Sequence, residues 1–457
     1  LPRVEELDYS ADTAARFATL TNRPWAVFLD SGRRRGAGAR YDIYAAEPYR
    51  TITTRGEETV VDGRDAQRAT KGDPLEVLRE ALGAPDRGPG ELPFGGGAIG
   101  YFGYDLGRRY EKLPVCAEPD IDLPELAVGI YDWAVIVDHD RCRSWLVGYG
   151  KDERTFDEWS EIRELVSTRN RPFEPHFRVV SPVRSNLDRS EYEAAFAAVK
   201  AHIERGDCYQ VNLTQRFEAL TEGDSWGAYL RLRDVSPAPY SAFLRYPFGD
   251  ILSSSPERFL KVCGSRVETR PIKGTRPRRV SASQDRALAR ELRSSAKDRA
   301  ENVMIVDLLR NDLGRTCTPG SIRATRLFDI ESFANVHHLV STIEGEIAPD
   351  RDPLDVLRAC FPGGSITGAP KIRAMEIIEG LEPHRRSVYC GAIGYVGFDR
   401  QMDTNIAIRT LVHARGSIYA WAGGGIVADS DVDAEYQESL DKASGLLAVL
   451  DAAAIAS

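Results

Sequence analysis

What this sequence lacks narrows it first. None of its seven cysteines forms a Cys-x-x-Cys pair; they are scattered at positions 116, 142, 208, 263, 317, 360 and 390. Scattered, odd-numbered cysteines speak for reduced thiols in a cytoplasmic protein, not for a disulfide framework or a zinc site. No apolar run reaches membrane-spanning length, and the first residues are acidic and polar, without a signal-type apolar stretch. There is no His-Glu-x-x-His, no Gly-x-Ser-x-Gly and no glutaminase-type nucleophile elbow around any cysteine. Excess basic charge is missing as well. At a net charge of −9, wholesale binding to nucleic acid or to an anionic membrane has no electrostatic support, and an anionic substrate needs a local basic patch.

What is there is an ordinary globular composition, 42% hydrophobic and 28% charged over 457 residues, enough for a large core in one composite domain or a few smaller ones. The Pro- and Arg-rich stretch Ser167 to Arg189 is the best boundary, dividing an N-terminal region 1–180 from a C-terminal region 187–455. In the first region Trp25–Leu29 and Tyr41–Ala45 read as strands around an exposed loop, Arg33 to Gly38, and Pro74–Leu82 as a helix. Ala127–Asp138 and Ser144–Tyr149 read as a hairpin of long strands, and Lys151–Val166 as an amphipathic helix. In the second, Tyr192, Phe196, Val199 and Ile203 keep helical spacing up to Gly206. Strands are expected at Val211–Leu220, Ser241–Arg245 and Asp250–Ser254, and helices over Ala300–Leu309 and Ala434–Ala452. Two motifs mislead. Gly95 to Gly100 matches G-x-G-x-x-G, but no apolar strand precedes it, and tight strand packing explains its glycines better. Phe361 to Lys371 resembles a phosphate loop but carries Ala369-Pro370 where Lys-Ser/Thr is required.

The stretch with most chemical promise is Glu268 to Arg278, in which Lys273 and Gly274 stand between arginines and are bracketed by Pro271 and Pro277. It reads as a strand breaking into a fixed loop, because proline can continue neither a helix nor a ladder. An amine in a cationic neighbourhood is a candidate nucleophile; the same residues also suit a basic surface loop. Asp298 with Glu301, and Glu435 with Glu438, pair carboxylates at i, i+3, so each pair points from one helical face. Opposed, they suit magnesium; alone, each suits a first helical turn favoured by the helix dipole. Gly423 to Gly425 offer backbone amides before the last helix, and Arg409 can clamp a carboxylate. Glu257, after a proline at a strand end, is placed as a general acid or as a solvated turn carboxylate. His338 lies between apolar residues, as a core histidine would. Spacing and composition alone thus point to an α+β enzyme for an anionic substrate.

Taken together, the motifs closely resemble the chorismate-utilising enzymes over nearly the whole chain. In the N-terminal half the resemblance rests on Pro24-Trp-Ala-Val-Phe-Leu-Asp-Ser-Gly32, Ala46-Glu-Pro48, Phe102-Gly-Tyr-Asp-Leu-Gly107 and Gly129-Ile-Tyr-Asp-Trp133. In the C-terminal half it rests on Gly206-Asp-Cys-Tyr-Gln-Val-Asn212, Ser255-Pro-Glu257, Pro271-Ile-Lys-Gly-Thr-Arg276, Asp307-Leu-Leu-Arg-Asn-Asp312, Gly364-Ser-Ile-Thr-Gly-Ala-Pro-Lys371 and Gly424-Gly-Ile-Val-Ala-Asp-Ser430. Within the family, anthranilate, isochorismate and salicylate synthases have alanine where this chain has Lys273, whereas the first components of aminodeoxychorismate synthases have lysine.

The resemblance implies an α+β fold of two packed antiparallel sheets, a sandwich surrounded by helices, with strands from both halves. It implies amination of chorismate at C4 through a covalent Lys273 adduct at C2, with Glu257 as general acid/base and His338 near the departing oxygen. Glu301 and Glu438 would hold Mg²⁺, with Glu435 and Asp298 nearby. Tyr389, Arg409 and the amides of Gly423 and Gly425 would receive the pyruvyl carboxylate, with Ser365, Lys442 and Thr275 lining the site. Ammonia would come from a glutamine amidotransferase partner subunit. Ser31, Arg40 and Tyr41 fall in a region where related enzymes hold tryptophan. Anthranilate synthase component I and an inactive chorismate-binding paralogue remain the competing functions, separable by the product formed.

Overall fold

A strand whose side chains are apolar on both faces has to be covered on both sides, and the strands of the first region meet that demand. In Trp133–Asp138, Ala134 and Ile136 enter one buried cluster while Val135 and Val137 enter another. Val27 and Phe28, and Ile43 and Tyr44, divide in the same way. The computed structural model describes residues 2–32, 39–64, 66–168, 175–333 and 336–451. The loop expected at Arg33 to Gly38 lies outside them, as does Ala452 at the expected end of the last helix. Among the described residues, strands form two antiparallel sheets, of 13 and 12 strands. The larger apolar cluster fills the space between the sheets. A second, with Phe17, Trp159, Trp226 and Leu446, covers the outer face of the 13-stranded sheet with helices. No helix among the described residues is long and apolar enough to cross a membrane.

Residues from both sides of position 180 enter both sheets. Val27–Asp30 lies between Tyr41–Ala45 and Tyr240–Tyr246 in the larger sheet, and Gly97–Phe102 between Leu126–Tyr131 and Ala392–Gly397 in the smaller one. The long strand expected over Ala127–Asp138 is instead two. Leu126–Tyr131 belongs to the 12-stranded sheet and Trp133–Asp138 to the 13-stranded one. At the break, the Asp132 carboxylate accepts the amides of Lys151 (2.9 Å) and Asp152 (3.1 Å) in the turn that follows Arg143–Gly148. The hairpin of Trp133–Asp138 with Arg143–Gly148 forms as expected. The amphipathic helix expected over Lys151–Val166 is also two pieces, Arg154–Asp157 and Trp159–Ser167.

Pro74–Leu82 is the helix expected, capped by Asp73. The G-x-G-x-x-G stretch runs straight into the Gly97–Phe102 strand. A Cβ on Gly100 would fall on the carbonyl oxygen of Ala127 in the neighbouring strand; close strand approach, not phosphate, explains this glycine. In the phosphate-loop lookalike, Lys371 gives its amine to Asp312 (2.6 Å) and to the Cys360 carbonyl (2.8 Å), a structural tie that leaves no cation for a phosphate.

Because the Ala127 carbonyl is backbone and cannot swing aside, Gly100→Ala will destabilise the protein by about 1–3 kcal/mol. Thermal unfolding measures this, and an unchanged Tm would show that the two strands can part at no cost.

Candidate active site

The site begins with a fault in a ladder. Ile272–Pro277 is an edge strand of the 12-stranded sheet, continuing where the strand was expected to break into a loop. It pairs with Val336–Glu346, Ile272 opposite Val340 and Thr275 opposite His338, with one extra residue between them. Such a bulge re-aims side chains, and here it falls on Lys273 and Gly274. Gly274 adopts φ +87°, and a Cβ there would come within 2.7 Å of Asp298 Oδ1, so only glycine lets the helix Ala296–Leu313 pack this close.

Lys273 is half-buried and gives its amine to the Ser365 carbonyl at 3.1 Å. The same carbonyl accepts Asn212 Nδ2 at 2.9 Å. Burial holds the Lys273 ammonium below the ordinary lysine range; Glu301 opposes this, Lys442 reinforces it, and Glu257 and Glu438 oppose it. The flanking arginines, expected to depress it, are occupied elsewhere: Arg270 by Glu331, and Arg276 by Glu291 (3.0 Å) and Asp298 (3.1 Å). Desolvation, helped by one distant lysine, does what the local sequence suggested arginines would do.

Glu257 sits in the gap between Gly249–Ser255 and Arg258–Cys263 and is buried. Burial pushes its carboxyl up to about 7, against the Ser365 hydrogen bond and the charge of Lys273. A carboxyl poised there can both give and take a proton near neutral pH. His338 is buried and its imidazole is pushed down to about 3 by burial and by Arg409 and His337, so the ring is neutral. Its Nδ1 lies 2.8 Å from Thr275 Oγ1, and its buried Nε2 meets no partner among the described residues.

Two helices bring the carboxylates. Glu301 follows Asp298 on Ala296–Leu313, while Glu435 and Glu438 lie on Val432–Asp451. A Cβ on Gly424 would stand 2.8 Å from Glu435 Oε2 and 3.8 Å from Glu438 Oε1, which sets the second pair directly over the glycine strand. Burial raises both Glu301 and Glu435, and each is raised further by a neighbouring carboxylate. Glu438, whose side chain is half exposed, is lowered against desolvation because Lys442 lies 2.7 Å away. Asp298 is taken by Arg276. Lys297, which the sequence reading passed over, acts electrostatically on Glu301, Glu435 and Glu438. Among the described residues no three His, Cys, Asp or Glu side chains converge into a ready metal cage. Magnesium takes only one or two carboxylates and completes its shell with water and substrate oxygens. A half-buried pocket whose carboxylates repel one another fits that ion.

Gly423 to Gly425 lie not in a loop but in the strand Ser417–Ile426, paired with Gln210–Gly223. Opposite them, Thr214 and Asn212 give their amides away from this strand, to Glu382 (3.0 Å) and to the Thr367 carbonyl (2.9 Å). These are therefore the non-hydrogen-bonded pairs of the ladder, and the amides of Gly423 and Gly425 face the opposite edge. That edge is open because pairing with Thr410–Ala414 ends at Ala420. Arg409, at φ +49° and half-buried, finds no acceptor for its guanidinium among the described residues. Burial alone lowers its affinity for the proton. An unpaired, half-buried arginine at a positive φ, next in sequence to the strand that leaves these amides open, has the chemistry to receive an anion. Tyr389 stacks on Trp421, centroids 5.8 Å apart and planes 8° apart. Neither Trp421 nor Asn212 stood out in the sequence; only their cross-strand positions reveal them.

Ser31, Arg40 and Tyr41 form a separate network. Ser31 gives its hydroxyl (2.6 Å) and amide (2.7 Å) to Asp42. Arg40 grips Asp138 with two hydrogen bonds (3.0 and 2.7 Å) and lies over the Tyr41 ring.

Residues 26–448 match the family of chorismate binding enzymes. Over 454 residues the chain is 50% identical to aminodeoxychorismate synthase component 1 of Escherichia coli (strain K12), which covers 98% of this chain and 99% of that protein. Its fold is similar to that of anthranilate synthase component I from Streptococcus pneumoniae TIGR4, with a TM-score of 0.80 at 34% identity over 89% of this chain and 92% of that one. It also superimposes on the menaquinone-specific isochorismate synthase MenF of Escherichia coli, with a TM-score of 0.74 at 16% identity over 98% of this chain and 95% of that one, a likeness of fold.

Two outcomes follow from these electrostatics. Inactivation by an amine-directed reagent will titrate below the ordinary lysine value of about 10.4, and Glu301→Gln will lower the midpoint further, since Glu301 favours the ammonium; a midpoint near that ordinary value would sink the assignment. For Glu257, raised from 4.5 to about 7, the folded state holds the proton more tightly. Its contribution is intact below the unfolded value and is lost as pH rises through 7. Glu257→Gln will therefore stabilise the protein at pH 8 by as much as about 3 kcal/mol and leave it unchanged at pH 4. Thermal unfolding at both pH values decides.

Proposed function

The chain belongs to the chorismate binding enzyme family, and from that membership we propose that it is an aminodeoxychorismate synthase component 1, aminating chorismate at C4 to 4-amino-4-deoxychorismate for p-aminobenzoate and folate synthesis. The observation that carries this reading is Lys273, a half-buried amine held below its ordinary proton affinity beside a carboxyl poised near neutral pH. The identity of 50% to an enzyme of that name supports it.

In this reading the neutral Lys273 amine attacks C2 of chorismate. The ring double bond shifts and the C4–O bond breaks, and Glu257 gives the departing oxygen its proton. Ammonia then adds at C4, the double bond shifts back, and the lysine leaves from C2 with its pyruvyl ether neighbour untouched. Glu257 takes the proton that the incoming ammonia releases. Arg409 and the open amides of Gly423 and Gly425 hold the pyruvyl carboxylate with Tyr389 alongside, and Ser365 keeps Lys273 in position through its carbonyl. Lys442 restrains Glu438. Glu301 and Glu438 would hold Mg²⁺, with Glu435 beside them. When bound, the ion neutralises the ring carboxylate and the carboxylates around it.

The ammonia source is a glutamine amidotransferase subunit, in keeping with the words "component 1" in the relative's name and with the absence of any glutaminase motif in this chain. Seven free cysteines support a reducing, cytoplasmic setting. Tryptophan bound near Ser31, Arg40 and Tyr41 remains part of the proposal; the charged and hydroxyl groups there are supplied by Arg40 and Ser31.

Incubation with chorismate, ammonia and Mg²⁺ will yield 4-amino-4-deoxychorismate, identified by absorbance and mass, and glutamine will not replace ammonia unless the partner is added. Lys273→Ala will lose at least about 100-fold in kcat. Anthranilate fluorescence, or full turnover by the alanine variant, would overturn the reading.

A further inference from the structure

Thr275 and His338 face one another across the ladder immediately after the bulge that presents Lys273. The neighbouring histidine offers a contrast. His337 has both ring nitrogens engaged, Nδ1 by Ser332 Oγ (2.7 Å) and Nε2 by Asp285 (3.0 Å). His338 has one nitrogen engaged, by Thr275 Oγ1 at 2.8 Å, and leaves Nε2 buried without a partner. Phe333 holds the ring, with centroids 5.6 Å apart. A buried nitrogen left open on a held ring is aimed at something the protein does not itself supply.

We propose that the Thr275 hydroxyl fixes His338 in the tautomer bearing its proton on Nε2, so that the ring presents an N–H to the oxygen leaving C4 of the substrate. This inference rests on the reaction assigned above and adds a positioning residue to it.

A neutral imidazole carries one proton, on one nitrogen or the other, and the hydrogen bond at one nitrogen decides which. Among the described residues, Nδ1 is the sole protein acceptor within hydrogen-bond distance of the Thr275 hydroxyl. With the hydroxyl donating to Nδ1, as proposed, the ring proton stands on Nε2. The direction matters because oxygen gathers negative charge as the C4–O bond breaks. An N–H stabilises that charge, whereas the lone pair of the other tautomer would repel it. A neutral ring suffices here, since Glu257 supplies the proton and His338 has only to hold the oxygen while it arrives. Burial and Arg409 keep the ring neutral.

The test pairs spectroscopy with kinetics in Thr275→Ser and Thr275→Val, the second isosteric but without the hydroxyl. Histidine-selective ¹⁵N spectra of the substrate-free protein, with His338→Gln used only to assign the ring signals, will show His338 protonated on Nε2 in the wild type and in Thr275→Ser. In Thr275→Val the Nδ1 signal will shift toward the protonated form. Thr275→Val will lose about 10- to 100-fold in kcat with KM for chorismate changed by less than about threefold, and Thr275→Ser will recover most of the loss. A wild-type ring protonated on Nδ1 overturns the proposal, as does a valine variant with undiminished kcat. A valine variant that changes KM alone also overturns it, making Thr275 a substrate contact. The spectra need no substrate, so they stand apart from the reaction itself, whose failure would show as absence of product from the wild type.

Discussion

Taking an amine out of water lowers its hold on a proton, and the organisation of the site follows from where Lys273 is desolvated. An unperturbed lysine is almost wholly protonated at neutral pH. Burial moves Lys273 toward the nucleophilic form while Glu301, Glu257 and Glu438 pull it back. The carboxylates proposed to hold a cation and to shuttle a proton are thus the groups that would silence the amine. The structure eases the conflict by giving two of these three, Glu438 and Glu257, a competing interest, as it does Glu435 beside them. Glu438 pairs with Lys442, Glu435 takes the Ser430 hydroxyl (2.7 Å), and Glu257 is buried deeply enough to keep its own proton near neutral pH. A cation held among the carboxylates would act in the same direction, since it would remove the negative charge that favours the ammonium.

Much of this was legible in the sequence, and the reason is local. Paired carboxylates at i, i+3 need only a helix to share a face, and both helices formed. Glu257 needed only a strand end. Lys273 was recognisable by its neighbours, although its expected cause of activation was wrong. Arg270 and Arg276 are adjacent in sequence but face Glu331 and Asp298, partners that lie far along the chain. The bulge under Lys273 was equally invisible, because it is a mismatch between two strands and exists in neither alone.

The same distinction accounts for the glycines and the split strand. Gly423 to Gly425 read only as backbone amides before the last helix, but they stay in a ladder whose partner, Gln210–Gly223, supplies the pairing. Ala127 to Asp138 read as one strand because it is apolar on both sides of Asp132. Its division at Asp132 follows from a sheet change that no periodicity encodes. Local chemistry was legible; the geometry that cross-strand contacts impose on it was not.

The interleaving of the two sheets has a consequence for how the protein comes into being. Asp30 rests against Ser241, and Ile99 against Tyr395, so the first region leaves the ribosome with its central strands lacking neighbours that have not yet been made. Until the last strands arrive, both sheets carry open edges and uncovered apolar faces of the kind that associate wrongly. The chain is therefore a late folder. Neither half carries the neighbours that its own central strands pair with.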